Sequence, residues 1–281
     1  MRSKQSFLVY LILIVGISFF AFKGLVIGKP SIPHTVNVNG IELPNDALKA
    51  NLAIVPNKYE KIIKNIVLVL MNGRPLTINW AAANVPTIVE AWQLGTTSGD
   101  AIAQVLYGAY NPSGKLPMTF PRSVGQIPLY YNHYSTGRPA PIDLVFWSHY
   151  TDEKNTPLYA FGHGLSYAHY TYSNLTVNAT NADSVVVQVT VRNTSKVQGE
   201  EVVQLYIQDV AASVVRPVQE LKGFAKMDIA PAESKQVTFV LTAKELGFYN
   251  EQGILVVEPG KFNVMVGGSS NAVLKTSFEL K

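Results

Sequence analysis

The sequence predicts an α+β multidomain chain: an N-terminal hydrophobic helix, a partial α/β segment on a parallel sheet, then an antiparallel β-sandwich. Three observations carry that prediction. A basic start, Arg2 and Lys4, precedes an apolar run from Phe7 to Phe22. Between 65 and 121, short continuous apolar runs alternate with a helix-patterned stretch, the arrangement of α/β proteins. From Tyr170 onward the pattern turns to short period-two alternation. Hydrophobic residues make up 47% of the 281, so packed cores are expected rather than disorder.

The first 27 residues read as a signal peptide or a membrane anchor. A basic start followed by an apolar stretch marks export. The run to Phe22 is shorter than the roughly 20 residues of a spanning helix. Continuing past Lys23 to Ile27 reaches that length, because a lysine near a helix end can snorkel. Cleavage and retention both remain open. Either way the positive residues favour a cytoplasmic N-terminus. The rest of the chain is then exported, periplasmic or extracellular, with a possible anchor over 7–27.

Residues 28–64 read as a connector punctuated by Pro30, Pro33, Pro44 and Pro56, with a short helix near Tyr59–Lys64. Ile66–Met71 is an apolar run suited to a strand buried on both faces. The Asn72–Pro75 stretch, NGRP, breaks it. Val85–Trp92 reads as a second buried strand. Ser98 is a plausible N-cap with Asp100 in the first turn. Ala101, Ala103, Val105 and Leu106 would supply much of the helix's buried face, and Gly108 the stop. Leu116–Phe120 reads as another short strand. These strands leave sheet edges that need protection.

Residues 122–168 form an aromatic, polar linker. From 169 to 281 the alternation of Val185, Val187, Val189 and Val191 sets one inward face. Similar runs at Val202–Ile207, Lys235–Leu241, Ile254–Val257, Gly260–Val266 and Leu274–Leu280 complete a sandwich of about seven strands. With no cysteine in the chain, disulfides, iron–sulfur clusters and thiol catalysis are excluded. The net charge of +4 is scattered. It forms no basic stripe of the kind nucleic acid requires.

Several runs together carry a family resemblance. LVLMNGRPL (68–76), EAWQLGTTSGDAIAQVLYG (90–108), NPSGKLPMTFPRSVGQIPLYYNH (111–133) and FGHGLSY (161–167) resemble consecutive elements of glycoside hydrolase family 3, the β-glucosidases and β-xylosidases. GEEVVQLYIQD (199–209), RPVQELKGFAKM (216–227) and EPGKFNVMVGGSS (258–270) resemble that family's fibronectin type III-like domain. The resemblance implies a truncated α/β sandwich remnant over 65–121 and a fibronectin type III-like β-sandwich over 169–281.

The resemblance also implies hydrolysis of β-linked sugars with retention, by two carboxyl groups about 5–5.5 Å apart. In the family one is an aspartate of a catalytic barrel. The other is a glutamate of the second domain, upstream of the segment matching Ile66. Neither has a counterpart here, so no catalytic residue is assigned and the chain is expected to be inactive alone. A barrel supplied separately would restore a site for a β-linked oligosaccharide or glucoside. The open α/β sheet edge is where such a protein partner could dock.

The remaining residues offer little other chemistry. Asp152–Glu153 and Glu200–Glu201 are the nearest substitutes for an acid pair, but read as a solvated linker and a strand edge. His149, His163 and His169 lack the converging pattern of a zinc site. Gly95, Gly99 and Gly108 do not have phosphate-loop spacing. No metal or cofactor is expected. Asn174, Asn178 and Asn193 begin N-x-S/T triplets. Tyr170, Tyr172, Tyr206 and Tyr249 are the aromatics a carbohydrate-binding sandwich would use, but they make no evident flat platform. Within the linker, Tyr131, Asn132, His133, Arg138 and Trp147 are candidates for sugar contacts beside a barrel. Aromatic packing against neighbouring domains is the competing reading.

Overall fold

A computed structural model of the chain describes residues 10–15, 35–38, 41–44, 66–138, 148–181 and 184–281. The chain divides into two compact units, residues 1–102 and 103–281.

In the first unit, strand β1 (Tyr10–Val15) is followed by an antiparallel hairpin, β2 (Thr35–Val38) and β3 (Ile41–Pro44). The hairpin falls where the prolines predicted little regular structure. Strand β4 (Ile66–Met71) comes next, then helix α1 (Asn79–Asn84) and strand β5 (Thr87–Glu90). The order β1-β4-β5 is parallel throughout, with Leu68 level with Ile12 and Ile88. Leu68, Val69 and Leu70 are sealed from solvent, as a centre strand requires. β5 is half-buried, with Thr87 exposed, rather than the buried strand expected. It has one strand neighbour among the described residues, so it carries less cover.

The hydrophobic helix expected over 7–27 is not shown. Its described part, Tyr10–Val15, is strand beside β4, and the remainder lies outside the described residues. Among the described residues no helix is long and apolar enough to cross a membrane. The helix expected near Tyr59–Lys64 also lies outside them.

Helix α2 (Ser98–Leu106) begins at the predicted serine, with Asp100 in its first turn. Gly108, at φ 75°, donates its N–H to Val105 O and ends it, a left-handed stop that glycine takes without strain. Its buried residue is Ile102, while Ala101 is exposed. Of the face expected, Ala103, Val105 and Leu106 are half-buried beside Ile102, and only Ala101 is turned out.

The second unit holds the sandwich. Its strands are β6 (Tyr170–Asn181), β7 (Ser184–Asn193), β8 (Gly199–Asp209), β9 (Glu220–Ile229) and β10 (Ser234–Leu241). After helix α3 (Ala243–Leu246), capped by Thr242 and Glu245, come β11 (Phe248–Tyr249), β12 (Leu255–Val256), β13 (Gly260–Gly267) and β14 (Leu274–Leu280). One sheet has the order β10-β7-β6 and the other β14-β13-β8-β9, all antiparallel. The predicted valines of β7 all face the core at 0% exposure, opposite Val203, Leu205 and Ile207 of β8. Each such side chain stabilises by roughly 1.5–3 kcal/mol on burial.

β8 is buried on both faces. Its inward residues meet the other sheet, whereas Gln204 and Tyr206 point outward yet are also sealed. What covers them is the chain of 111–134 and 155–168, a strap across the outside of the four-stranded sheet. Leu116–Phe120, predicted as a strand, pairs within this strap. Leu116 and Phe120 exchange backbone hydrogen bonds with 158–163, leaving one isolated bridge instead of a regular strand.

Candidate functional site

The strap is built from a few anchored side chains. Tyr131 lies flat on Phe161, ring centroids 4.3 Å apart, and edge-on to Tyr206 at 5.7 Å. These rings, with Met265, Ala272 and Leu221, make a small second core outside the sheet. The Tyr131 hydroxyl accepts the Leu221 N–H, and its carbonyl accepts from Gln219 Nε2. Val218 N–H donates to His133 O, and Tyr134 bridges to Pro217. Residues 131–134 are thus held as a short rib against 217–221.

Gln204 completes this layer. Its Nε2 donates to Gly162 O and Gly268 O, and its Oε1 accepts from Tyr206 Oη. Burial raises the Tyr206 phenol well above its ordinary range, and Tyr131 adds to that.

The other end of the strap plugs into the start of β8. Asn111 Nδ2 donates to Gln198 O, and Ser113 Oγ donates to Glu200 Oε2 at 2.9 Å. Lys115 Nζ reaches Glu201 Oε2 at 3.2 Å and Gly164 O at 2.8 Å. Glu201 also accepts from Tyr172 Oη at 2.6 Å. Burial, then the charge of Glu201, pushes the Tyr172 phenol far upward, so it stays a donor. Glu200 is bridged by Lys226 at 2.7 Å, and that bond with the Ser113 one holds its carboxyl below the usual range.

The adjacent acids thus do face opposite ways, but neither is idle: both grip the strap. The solvated-edge reading is corrected for Glu201, only 5% exposed, and holds for Glu200, whose side chain is 37% exposed. A buried lysine must find a carboxylate; this clamp was missed from the sequence, where Lys115 within the NPSGKLP run was the one signal for it. Further along β8, Asp209 is pushed upward by burial, against the pull of Arg216 4.0 Å away. Arg216 also binds Glu220 at 2.7 Å and lies over the Phe248 ring.

The sugar-contact candidates separate into two kinds. Tyr131 is turned inward and spent on packing. Asn132, His133 and Arg138 are exposed. His133 Nδ1 lies 2.9 Å from Tyr134 O, and Arg138 O accepts the Ser148 N–H. Trp147 lies outside the described residues. Asp152 is exposed, and Glu153 accepts the amide of its neighbour Lys154.

Among the described residues no three His, Cys, Asp or Glu side chains converge as metal ligands. His163 stacks on Tyr159 at 5.1 Å, and burial with nearby Lys115 depresses its pKa. The four tyrosines considered as a sugar platform do not share a surface. Tyr206 is sealed, Tyr170 and Tyr172 pack on the sandwich core, and Tyr249 is 70% exposed. Of the three N-x-S/T asparagines, Asn193 is buried and holds Val197 O and Ile229 O.

Residues 34–167 match the glycosyl hydrolase family 3 C-terminal domain, and residues 201–270 match the fibronectin type III-like domain. The chain belongs to glycoside hydrolase family 3, through its C-terminal domains. It is 50% identical over 222 residues to a periplasmic beta-glucosidase of Salmonella typhimurium, covering 77% of this chain and 29% of that protein. A beta-xylosidase of Formosa agariphila is 45% identical over 214 residues, covering 74% and 29%.

Among solved structures, a beta-glucosidase from Listeria innocua in complex with glucose superposes with a TM-score of 0.74 at 43% identity. The match spans 77% of this chain and 31% of that one. A beta-glucosidase from Thermotoga neapolitana gives 0.64 at 31% identity over 77% and 31%. This family 3 chain therefore spans about 30% of the length of the relatives it matches.

Proposed function

We propose that this chain serves as the C-terminal part of a β-glucosidase-like family 3 hydrolase, and that by itself it does not cleave glycosides. The observation that carries this reading is the use made of Glu200 and Glu201. The best substitute acid pair in the sequence is committed to Lys226, Ser113, Lys115 and Tyr172 as strap anchors. A retaining mechanism needs one carboxylate free to attack and another to move a proton. The domain limits proposed are 65–121 for the α/β remnant, 122–168 for the linker and 169–281 for the sandwich.

In this reading the strap is scaffold, and its exposed rim is substrate-side. Asn132, His133 and Arg138 are offered to a β-linked oligosaccharide or glucoside beside a catalytic barrel. Tyr131 fixes the rib that carries them. The basic, apolar N-terminus and the relative named as periplasmic support export. Purified chain incubated with aryl β-glucosides and β-xylosides should show no turnover above buffer. Turnover that persists through repurification overturns the proposal.

A second reading, a docking module completed by a separately encoded barrel, is favoured by exposed apolar side chains on and beside the strap. Tyr107 and Leu165 are 79% and 78% exposed. β5 has one strand neighbour among the described residues. Apolar dye binding and association on size exclusion distinguish this module from a self-sufficient monomer.

A further inference from the structure

The carboxyl ends of β4 and β5 hold an unbalanced set of hydrogen-bonding groups. Asn72, only 9% exposed, follows β4, and Glu90 closes β5. Asn72 Nδ2 donates to Arg74 O at 2.6 Å, which fixes the amide with its oxygen turned the other way. Glu90 Oε1 accepts the Trp92 N–H at 3.0 Å. That leaves Asn72 Oδ1 and Glu90 Oε2, both buried and both without a partner. Each is an acceptor when the carboxyl is ionised, and two unmatched buried acceptors are costly. One proton on Oε2 converts it to a donor and satisfies both at once.

We propose that Glu90 is kept as a neutral carboxylic acid whose Oε2–H donates to Asn72 Oδ1, tying together the segments that leave β4 and β5. Burial, the largest influence on this carboxyl, raises its pKa, in keeping with that geometry. The Trp92 N–H and the Asn72 side chain pull it the other way, and burial outweighs them. The ionisable side chains in the described part of this unit are Tyr10, Glu42, Arg74, Glu90 and Asp100. β4 and α1 carry none, and β1 carries only Tyr10. The one cation among them, Arg74, is exposed.

The tie has a place in the fold. Trp92 has a left-handed φ of 47°, unusual for a bulky side chain, and Glu90 holds its amide. Open parallel sheets bind ligands beyond their carboxyl ends, so the tie makes that end of the sheet sensitive to proton concentration. The inference needs no substrate and stands apart from the hydrolase reading.

The test compares the whole chain with Glu90→Gln by amide hydrogen exchange at β4 and β5 across neutral to alkaline pH. Glutamine can donate to Asn72 and accept from Trp92, as the neutral acid does. The variant should match wild type at neutral pH. It should keep its protection as pH rises while wild type loses about tenfold or more. A variant less protected than wild type at neutral pH overturns the proposal. Should Glu90→Gln fail to fold, carboxyl carbon NMR of the wild type decides. An acid-form glutamate signal persisting at neutral pH supports the tie, and its absence refutes it.

Discussion

Lys115 reaches Glu201 across 86 residues of chain, Nζ to Oε2 at 3.2 Å, with both side chains largely shielded. Removing one partner of a shielded pair leaves the other charge without compensation. Lys115→Ala should therefore lower stability by about 3 kcal/mol, read from the denaturant midpoint. Amide exchange along 111–116 should quicken together with exchange near Gly164, whose carbonyl Lys115 also binds.

Tyr131 separates packing from sugar contact. Tyr131→Ala removes the ring stacked on Phe161 and should cost about 3 kcal/mol. Tyr131→Phe keeps the stack and loses the bond from the Leu221 amide, a change of about 1 kcal/mol. Thermal unfolding of the isolated chain measures both. If neither variant changes stability, the strap is not anchored by this ring.

His163 predicts a pH dependence. Its folded pKa lies below the ordinary value of 6.5, because burial and then Lys115 disfavour the charged ring. The unfolded chain therefore binds the proton more readily. The histidine's contribution is present above that ordinary value and is lost as pH falls from there towards the depressed folded pKa. His163→Gln should flatten that part of the stability profile, leaving the carboxylate losses at lower pH. An unchanged wild-type profile through this window refutes the assignment.

Gly164 tests how closely the strap's two segments approach. A methyl group there would sit 2.1 Å from Gly114 O, a backbone atom that cannot swing away. Gly164→Ala should destabilise by about 1–3 kcal/mol, read by thermal unfolding. A shift under a few tenths would mean that the two segments separate easily.

The sandwich was legible because its signal is local. Val185, Val187, Val189 and Val191 alternate in the chain and face one core in the fold, since a strand turns successive side chains to opposite sides. The start of α2 at Ser98 and its stop at Gly108 were legible for the same reason. The family was legible in the ordered motifs from NGRPL to the EPGKFNVMVGGSS run.

The burial of β8's outer face was not legible. Tyr206 reads as an aromatic for a sugar surface and nothing local marks Gln204; the strap that covers them lies dozens of residues away in sequence. For Tyr131 the sequence left sugar contact and packing side by side, because a ring's partners cannot be told from its neighbours in the chain.

By itself, then, the sequence determined the strand periodicity of the sandwich, the limits of α2 and the family. Each depends on residues adjacent or a few positions apart. Only the tertiary structure decided that Glu200 and Glu201 are anchors, that Tyr131 is packing, and that Glu90 and Asn72 share a buried corner. Charge pairing and burial depend on which distant segments the folded chain brings within a few ångströms, and no local pattern encodes that distance.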